Sequence, residues 1–242
     1  MIRCENLSKL FRDDCGIKNI SMDFSPGIIY GIIGHNGAGK TTLFNCIQGL
    51  AAATTGSVSH FGLRTSDDKN FAERRRKIAF LPAEDYLYPK LTCMENIELA
   101  TILKTGRNKI TDETKDLIQY LDVEPYLHKQ FRDCSSGMKK KAQIVVSLIG
   151  DIDTIIWDEP NNGLDVISNI KIKKLLLHYK SKNAIILFSS HVIEFLENFA
   201  DRCVLLRDGE IVEDKAARDI DSLESLFLGH LPRGEAADWP AR

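Results

Sequence analysis

Short apolar runs alternate with helical patterns along the 242 residues, and this alternation predicts an α/β fold. The apolar runs at 28–33, 154–157 and 184–189 predict strands, and each one ends in polar or glycine-rich residues. The interval 84–149 is mainly helical, with helices predicted at 92–103 and 112–121; Thr111 caps the second. A turn at 207–210 between the apolar stretches 203–206 and 211–212 predicts a β-hairpin.

These elements predict one domain over residues 1–229. Strand and helix alternate in 1–83 and again in 150–212, and the helical interval 84–149 separates these two parts of the core. A weak helix is expected near 223–228, followed by a polar tail over 230–242. The length suits one α/β domain with a substantial hydrophobic core.

Charge gives no reason to expect a nucleic-acid partner. The net charge is -2 and the pI is near 6.3, so the chain carries no global basic character. Two short basic runs, 74–77 and 139–141, are expected to be solvated helix faces, and the second is also a candidate source of positive potential near bound phosphates.

The cysteines predict a reducing compartment. Cys4, Cys15, Cys46, Cys93, Cys134 and Cys203 are scattered without C-x-x-C spacing, which indicates reduced thiols in a cytosolic protein. The N-terminus has no apolar signal core, and no apolar run approaches the length that crosses a bilayer. A membrane pore, if one is needed, is expected in another subunit.

A glycine-rich loop predicts a phosphate site. Residues 34–41 read GHNGAGKT, which matches G-x-x-x-x-G-K-[ST], and they directly follow the apolar run 28–33. Glycines let a tight loop turn its N–H groups toward a phosphate. Lys40 supplies a point charge for the β- and γ-phosphates, and the Thr41 hydroxyl is a ligand for Mg²⁺. A helix predicted over 40–50 adds its positive dipole end.

A pair of acids follows the strand predicted at 154–157. Asp158 and Glu159 stand at its end in an arrangement that resembles a Walker B segment. In such a segment the aspartate holds Mg²⁺, mostly through water, and the glutamate orients and deprotonates the attacking water. A buried strand that reaches the surface at two acids is the alternative interpretation.

Residues 134–138 read CSSGM and precede an apolar helical stretch that extends to 149. Here the chain resembles the ATP-binding-cassette (ABC) family, whose signature motif usually reads LSGGQ. Ser135 and Gly137 match this motif, whereas Cys134, Ser136 and Met138 differ from its commonest form. A serine and a glycine at a helix N-terminus can cap the helix and present N–H groups to an anion.

The order of the motifs strengthens the resemblance. Residues 161–165, NNGLD, are similar to the family's D-loop, and His191 falls where the family has its switch histidine. Phe11 lies in a segment similar to the one that carries the adenine-stacking aromatic; a core position is the alternative. Within residues 78–89 the family usually has a glutamine that follows a strand and contacts metal or water; alignment through 81–82 and 88–89 places Ala83 at this position. Glu84 and Asp85 are the candidates to replace it.

The resemblance implies a fold, a cofactor set and a group of site residues. The implied fold is α/β, a P-loop NTPase core with a mixed sheet, an antiparallel N-terminal β part and an inserted α-helical subdomain. The implied ligands are ATP and Mg²⁺, with metal contacts from Thr41 and Asp158 and catalytic roles for Glu159 and His191. The implied nucleotide contacts are Phe11, Gly34, His35, Asn36, Gly37, Ala38, Gly39, Lys40, Thr41, Thr42, Ser135, Ser136, Gly137, Met138 and Asp165.

The resemblance also implies a head-to-tail dimer, in which each ATP lies between the P-loop of one copy and the signature of the other. The favoured hypothesis is a transport ATPase on the cytoplasmic face of the membrane that drives separate permease subunits. The serine-glycine-methionine signature is more similar to exporter-associated subunits than to importer ones. The alternatives are a soluble ABC ATPase that acts on DNA or ribosomes, and a nucleotide-binding regulatory module with little turnover.

Overall fold

A computed structural model describes residues 1–11, 15–190, 196 and 199–220, the side chains at 68–70 aside. The helix predicted at 223–228, the tail at 230–242 and His191 lie outside the described residues.

Strands and helices alternate along most of the chain, as the apolar pattern predicts. The strands are β1 (Ile2–Leu10), β2 (Gly16–Phe24), β3 (Ile29–Ile33), β4 (Thr55–His60), β5 (Leu63–Arg64), β6 (Ile78–Leu81), β7 (Thr154–Trp157), β8 (Ile185–Ser189), β9 (Arg202–Arg207) and β10 (Glu210–Ala216). The α-helices are α1 (Lys40–Ile47), α2 (Asp68–Arg75), α3 (Cys93–Thr105), α4 (Asp112–Tyr120), α5 (Ser136–Ser147) and α6 (Val166–Ser181). Short 3-10 helices lie at Glu124–Tyr126, Phe131–Asp133 and Ala217–Asp219.

The strands form two sheets. β2, β1, β4 and β5 make an antiparallel sheet in that order, and the other sheet has the order β10-β9-β3-β8-β7-β6. Within the second sheet β9, β3, β8, β7 and β6 are parallel, and β10 pairs antiparallel with β9. The predicted α/β fold is therefore confirmed, with the antiparallel N-terminal part as a separate sheet. Because the five strands are parallel, their carboxyl ends meet at one edge, where ligands bind in open α/β sheets.

The six-stranded sheet is buried on both faces. Along β8, Ile186 and Phe188 face one hydrophobic core, which also contains residues of α3, α4 and α5, while Ile185 and Leu187 face a second core. The second core includes α1 and the antiparallel sheet. This burial explains why the parallel strands read as continuous apolar runs.

The observed helix ends follow from their caps. The Thr92 side chain caps α3 in a reciprocal capping box with Glu95, and Gly106 ends that helix with φ 71°. Helix α1 ends at Ile47, three residues before the predicted end, because Gln48 forms the C-cap and the next residue, Gly49, has φ 74°.

Asn96 fastens α3 to the loop that follows β6. Its buried side chain accepts a hydrogen bond from the Tyr88 backbone N–H at 2.9 Å and donates to the carbonyls of Tyr88 and Thr92 at 3.1 and 3.0 Å. The donors and the acceptor of the Asn96 amide all have partners within the chain, so this side chain holds the start of the helical segment in place.

We expect Asn96→Ala to lower the free energy of unfolding by about 1–3 kcal/mol, because it removes the three hydrogen bonds that this buried side chain makes to the backbone. Chemical denaturation of the full chain measures this change. Glu98→Ala, at an exposed position of the same helix, is the control and should stay within about 0.5 kcal/mol of the unmodified chain. Equal stability of the two variants would contradict the role assigned to Asn96.

Candidate nucleotide-binding site

The glycine loop connects the carboxyl end of β3 to the first turn of α1. Gly39 is the N-cap of α1 with φ 106°, and a Cβ there would lie 2.8 Å from Cγ2 of Ile17. A side chain at this position would combine backbone strain with a steric clash, so only glycine suits it. The loop therefore delivers the backbone N–H groups of the α1 N-terminus to the carboxyl edge of the sheet.

Lys40 turns back over the loop. Its ammonium donates to the carbonyl oxygens of Gly34 at 2.7 Å and His35 at 3.2 Å, and the residue is 7% exposed. Burial lowers the pKa of Lys40, while the nearby carboxylates of Glu159 and Asp158 act in the opposite direction. These carbonyl contacts hold the ammonium at the loop, where a phosphate could take their place.

Asp158 lies at the end of β7 with only 1% of its surface exposed. Its Oδ2 accepts a hydrogen bond from the Thr41 hydroxyl in α1, and its Oδ1 accepts one from the Ser189 hydroxyl at the end of β8. The carboxylate thus joins three elements that meet at the carboxyl edge. Both oxygens need partners because an unpaired buried carboxylate is costly.

Glu159 follows with an unusual backbone conformation. Its φ is 51°, in the left-handed region that costs a non-glycine residue about 1–3 kcal/mol. The Glu159 N–H donates to the Ser189 hydroxyl at 2.9 Å. Ser189 therefore contacts both acids. The left-handed backbone at Glu159 changes the direction in which the Glu159 side chain leaves the chain. Sequence reasoning did not assign Ser189 a function, because a serine that ends an apolar strand has no distinguishing signal.

The signature segment and the D-loop of the same chain are in contact. Ser135 caps α5 by accepting from the Met138 N–H at 3.3 Å. A Cβ on Gly137 would lie 2.8 Å from the carbonyl oxygen of Gly163, so glycine permits this close backbone approach. Asp165 in turn caps α6 by accepting from the Ser168 N–H at 2.7 Å, which lowers the pKa of the Asp165 carboxyl.

The loop after β6 is tied to α5. Asp85 accepts from Lys139 at 2.9 Å and from Gln143 at 3.0 Å, and the Tyr86 hydroxyl donates to the Gln143 carbonyl at 2.9 Å. Asp85 is thus directed toward α5. The position aligned with the family's glutamine is exposed Ala83.

The expectation that both basic runs are solvated helix faces is wrong for one member of each. Lys140 is 6% exposed, and Arg74 is buried with its guanidinium paired to Asp153 and hydrogen-bonded to Thr154. A run of identical charges does not show which one turns inward, because that depends on the helix face that packs against the sheet.

The other residues predicted to contact the nucleotide differ in their exposure to solvent. Gly34 and Ala38 are buried, His35 and Thr42 are half-buried, and Asn36 and Gly37 are exposed. Phe11 is 55% exposed with the Lys9 ammonium 5.2 Å from its ring centroid, so it is not a core residue. His191 lies outside the described residues.

The strand, glycine loop and helix, with a buried lysine and carboxylate at the same edge, define a P-loop nucleotide site. The family model described as ABC transporter matches residues 17–162. The lantibiotic transport ATP-binding protein SrtF of Streptococcus pyogenes is 31% identical, covering 94% of this chain and 96% of its own length. The SkfA peptide export ATP-binding protein SkfE of Bacillus subtilis is 29% identical over 88% of both chains.

Solved structures are also similar. A dimeric post-hydrolysis state of an ATP-binding cassette bound to ADP and Pi superimposes with a TM-score of 0.80 at 27% identity. The match covers 90% of this chain and 99% of that one. The chain therefore belongs to the ABC transporter family, as an ATP-binding ATPase subunit, and the predicted resemblance is confirmed. None of the helices in the described residues combines the length and apolarity that crossing a membrane requires.

We expect Ser189→Ala to reduce ATP turnover by about 10- to 100-fold, because it removes the hydroxyl that positions both acids. Phosphate release at saturating ATP measures the effect. Ser181→Ala, at an exposed position of α6, is the control and should change turnover by less than about twofold. Turnover of Ser189→Ala equal to that of the control would contradict the positioning role.

Proposed function

We propose that this subunit hydrolyses Mg-ATP between two copies of itself and thereby drives a separate membrane permease that exports its cargo. The observation that carries the proposal is the buried Asp158 carboxylate, hydrogen-bonded to Thr41 of the glycine loop helix and close to the buried Lys40. The groups that we assign to phosphate binding, metal binding and water activation thus lie at one edge of the sheet.

The glycine loop binds the phosphates in this proposal. Lys40 exchanges the carbonyls of Gly34 and His35 for β- and γ-phosphate oxygens. Phe11 is exposed and therefore available to stack on adenine. The loop contacts are Gly34, His35, Asn36, Gly37, Ala38, Gly39, Lys40, Thr41 and Thr42.

The residues present fit Mg²⁺. Thr41 and Asp158 offer a hydroxyl and a carboxylate, the hard oxygen ligands that this ion prefers. Within the described residues, no group of three or more histidine, cysteine, aspartate or glutamate side chains could hold a metal by itself. This small donor set suits an ion that arrives with the phosphates of its nucleotide and keeps several waters. When bound, Mg²⁺ neutralises charge on the phosphate oxygens.

Glu159 is the proposed general base. It follows the metal-binding aspartate, is 8% exposed, and has its backbone fixed by Ser189. From this position its carboxylate accepts a proton from the water that attacks the γ-phosphate. His191, two residues after Ser189 in the sequence, is proposed to contact the γ-phosphate.

A second copy completes each site. Ser135 and Ser136 are exposed at the N-terminus of α5, where N–H groups and the helix dipole favour an anion. We assign Ser135, Ser136, Gly137, Met138 and Asp165 to contacts with the nucleotide held by the partner. The dimeric cassette with ADP and Pi supports this arrangement by its similarity. Closing on ATP and opening after hydrolysis convert phosphate chemistry into motion.

The proposal also includes the direction of transport and attachment to the membrane. The relatives named for lantibiotic transport and peptide export support an exporter at the cytoplasmic face, with the membrane spans in permease subunits. We further propose that residues 1–229 form one ABC ATPase domain, in which the helical subdomain 84–149 transmits the motion to the permease.

For Glu159→Gln we expect turnover to fall by about 10² to 10⁴-fold while ATP binding persists, because the amide cannot accept the proton but leaves the phosphate contacts intact. Steady-state phosphate release and equilibrium ATP binding measure the two effects. Glu98→Gln, which is exposed, is the control. An unchanged rate of ATP turnover in Glu159→Gln would show that Glu159 is not the general base. If the unmodified chain itself shows no turnover, the alternative of a nucleotide-binding regulatory module is favoured.

The permease is tested by affinity purification of Glu159→Gln from detergent-solubilised native membranes with ATP, since blocked hydrolysis holds the closed dimer. Mass spectrometry should identify a stoichiometric multi-span membrane protein. Recovery of ribosomes or DNA-binding partners instead would support the soluble alternative.

A further inference from the structure

Lys140 is a buried lysine that is not among the residues assigned above to nucleotide contacts. Its neighbours in α5, Lys139 and Lys141, keep 24% and 16% of their side chains exposed and pair with Asp85 and Asp122. Lys140 is 6% exposed as a residue. Lysine is almost never this buried unless its ammonium has a partner.

The ammonium of Lys140 lies at the carboxyl edge of the sheet. The ammonium donates a hydrogen bond to the Ala83 carbonyl at 3.2 Å. Among the described residues this is its one hydrogen-bond acceptor, although an ammonium has three donors. Ala83 comes two residues after Leu81, whose carbonyl accepts from the Asp158 N–H at 2.8 Å. The contact therefore places the amine of the signature helix at the loop that continues from β6, the strand that pairs with β7.

Three carboxylates act on this ammonium. Burial lowers the pKa of Lys140, and Asp85, Asp158 and Glu159 oppose that effect. The Asp85 carboxylate already accepts from Lys139 and Gln143. The other two carboxylates, Asp158 and Glu159, are the acid pair of the nucleotide site.

We propose that Lys140 is a positioning residue for ATP hydrolysis, which holds the loop at Ala83 against the end of β7 and places a fixed positive charge beside Asp158 and Glu159. The inference rests on the roles proposed above for these two acids. The methyl group of Ala83 can neither donate nor accept a hydrogen bond, so α5 supplies the polar group at this position from the other side of the loop.

A fixed charge of this kind acts on the chemical step. It is oriented before the reaction and sits in a water-poor environment, where electrostatic effects are strong. Among the described residues, the hydrogen bonds of Lys40 go to Gly34 and His35 and that of Lys140 goes to Ala83, so we expect ATP binding by the free subunit to change little when Lys140 is replaced. Loss of Lys140 should therefore lower kcat much more than it changes KM.

The test compares Lys140→Met with Lys139→Met, which removes an adjacent lysine and its bond to Asp85 but leaves Ala83 untouched. In the full-length purified chain we expect Lys140→Met to lower kcat by about 10- to 100-fold, as loss of a supporting interaction does, with KM for ATP within about threefold. Lys139→Met should keep kcat within about threefold. A kcat of Lys140→Met within that same range would overturn the proposal.

A second pair of variants separates charge from packing. Ala83 is exposed, so Ala83→Lys in the Lys140→Met background can return an ammonium to the same edge, whereas Ala83→Met adds similar bulk without charge. We expect Ala83→Lys to recover at least about fivefold in kcat and Ala83→Met to recover none. Equal results for the two second-site variants would show that Lys140 acts through packing alone and would overturn the proposal. If Glu159→Gln leaves the rate unchanged, the proposed role of Glu159 fails separately.

Discussion

The buried carboxylate of Asp158 is the constraint on which the site depends. Because both of its oxygens lie out of solvent, the chain must bring donors to them, and it does so with Thr41 from α1 and Ser189 from β8. These two bonds fix the relative positions of the glycine loop, the acid-bearing strand and the strand that leads to His191. The carboxylate that we propose to bind metal thus also organises this edge of the sheet.

The topology makes this convergence possible. Parallel pairing of β3 with β8 and of β8 with β7 brings segments far apart in sequence to one edge. The hydrophobic cores on both faces hold the strands in register, so the polar groups at the edge are attached to a rigid sheet. The helical segment joins this edge at the loop after β6, through Asp85 and Lys140 on one side and Asn96 on the other.

Motifs with fixed local geometry were predictable from the sequence, and long-range contacts were not. The glycine loop, the strand at 154–157 and the Thr111 and Ser135 caps follow from local residue types and appear as predicted. The left-handed backbone of Glu159 and the double contact of Ser189 depend on strands that are adjacent only in the fold. The inward turn of Lys140 was missed for the same reason, because its neighbours carry identical charges and only packing of α5 distinguishes them.

In the proposed dimer, the signature of one chain completes the ATP site of the other. Sedimentation of the Glu159→Gln chain with and without ATP tests it directly, together with the double variant that adds Ser136→Glu. Glutamate at this exposed first position of α5 suits the helix dipole but repels a partner's phosphate. We expect the Glu159→Gln chain to double its mass with ATP, and the double variant to bind ATP yet stay monomeric. ATP-dependent dimerisation of the double variant, or none by Glu159→Gln itself, would contradict the shared site.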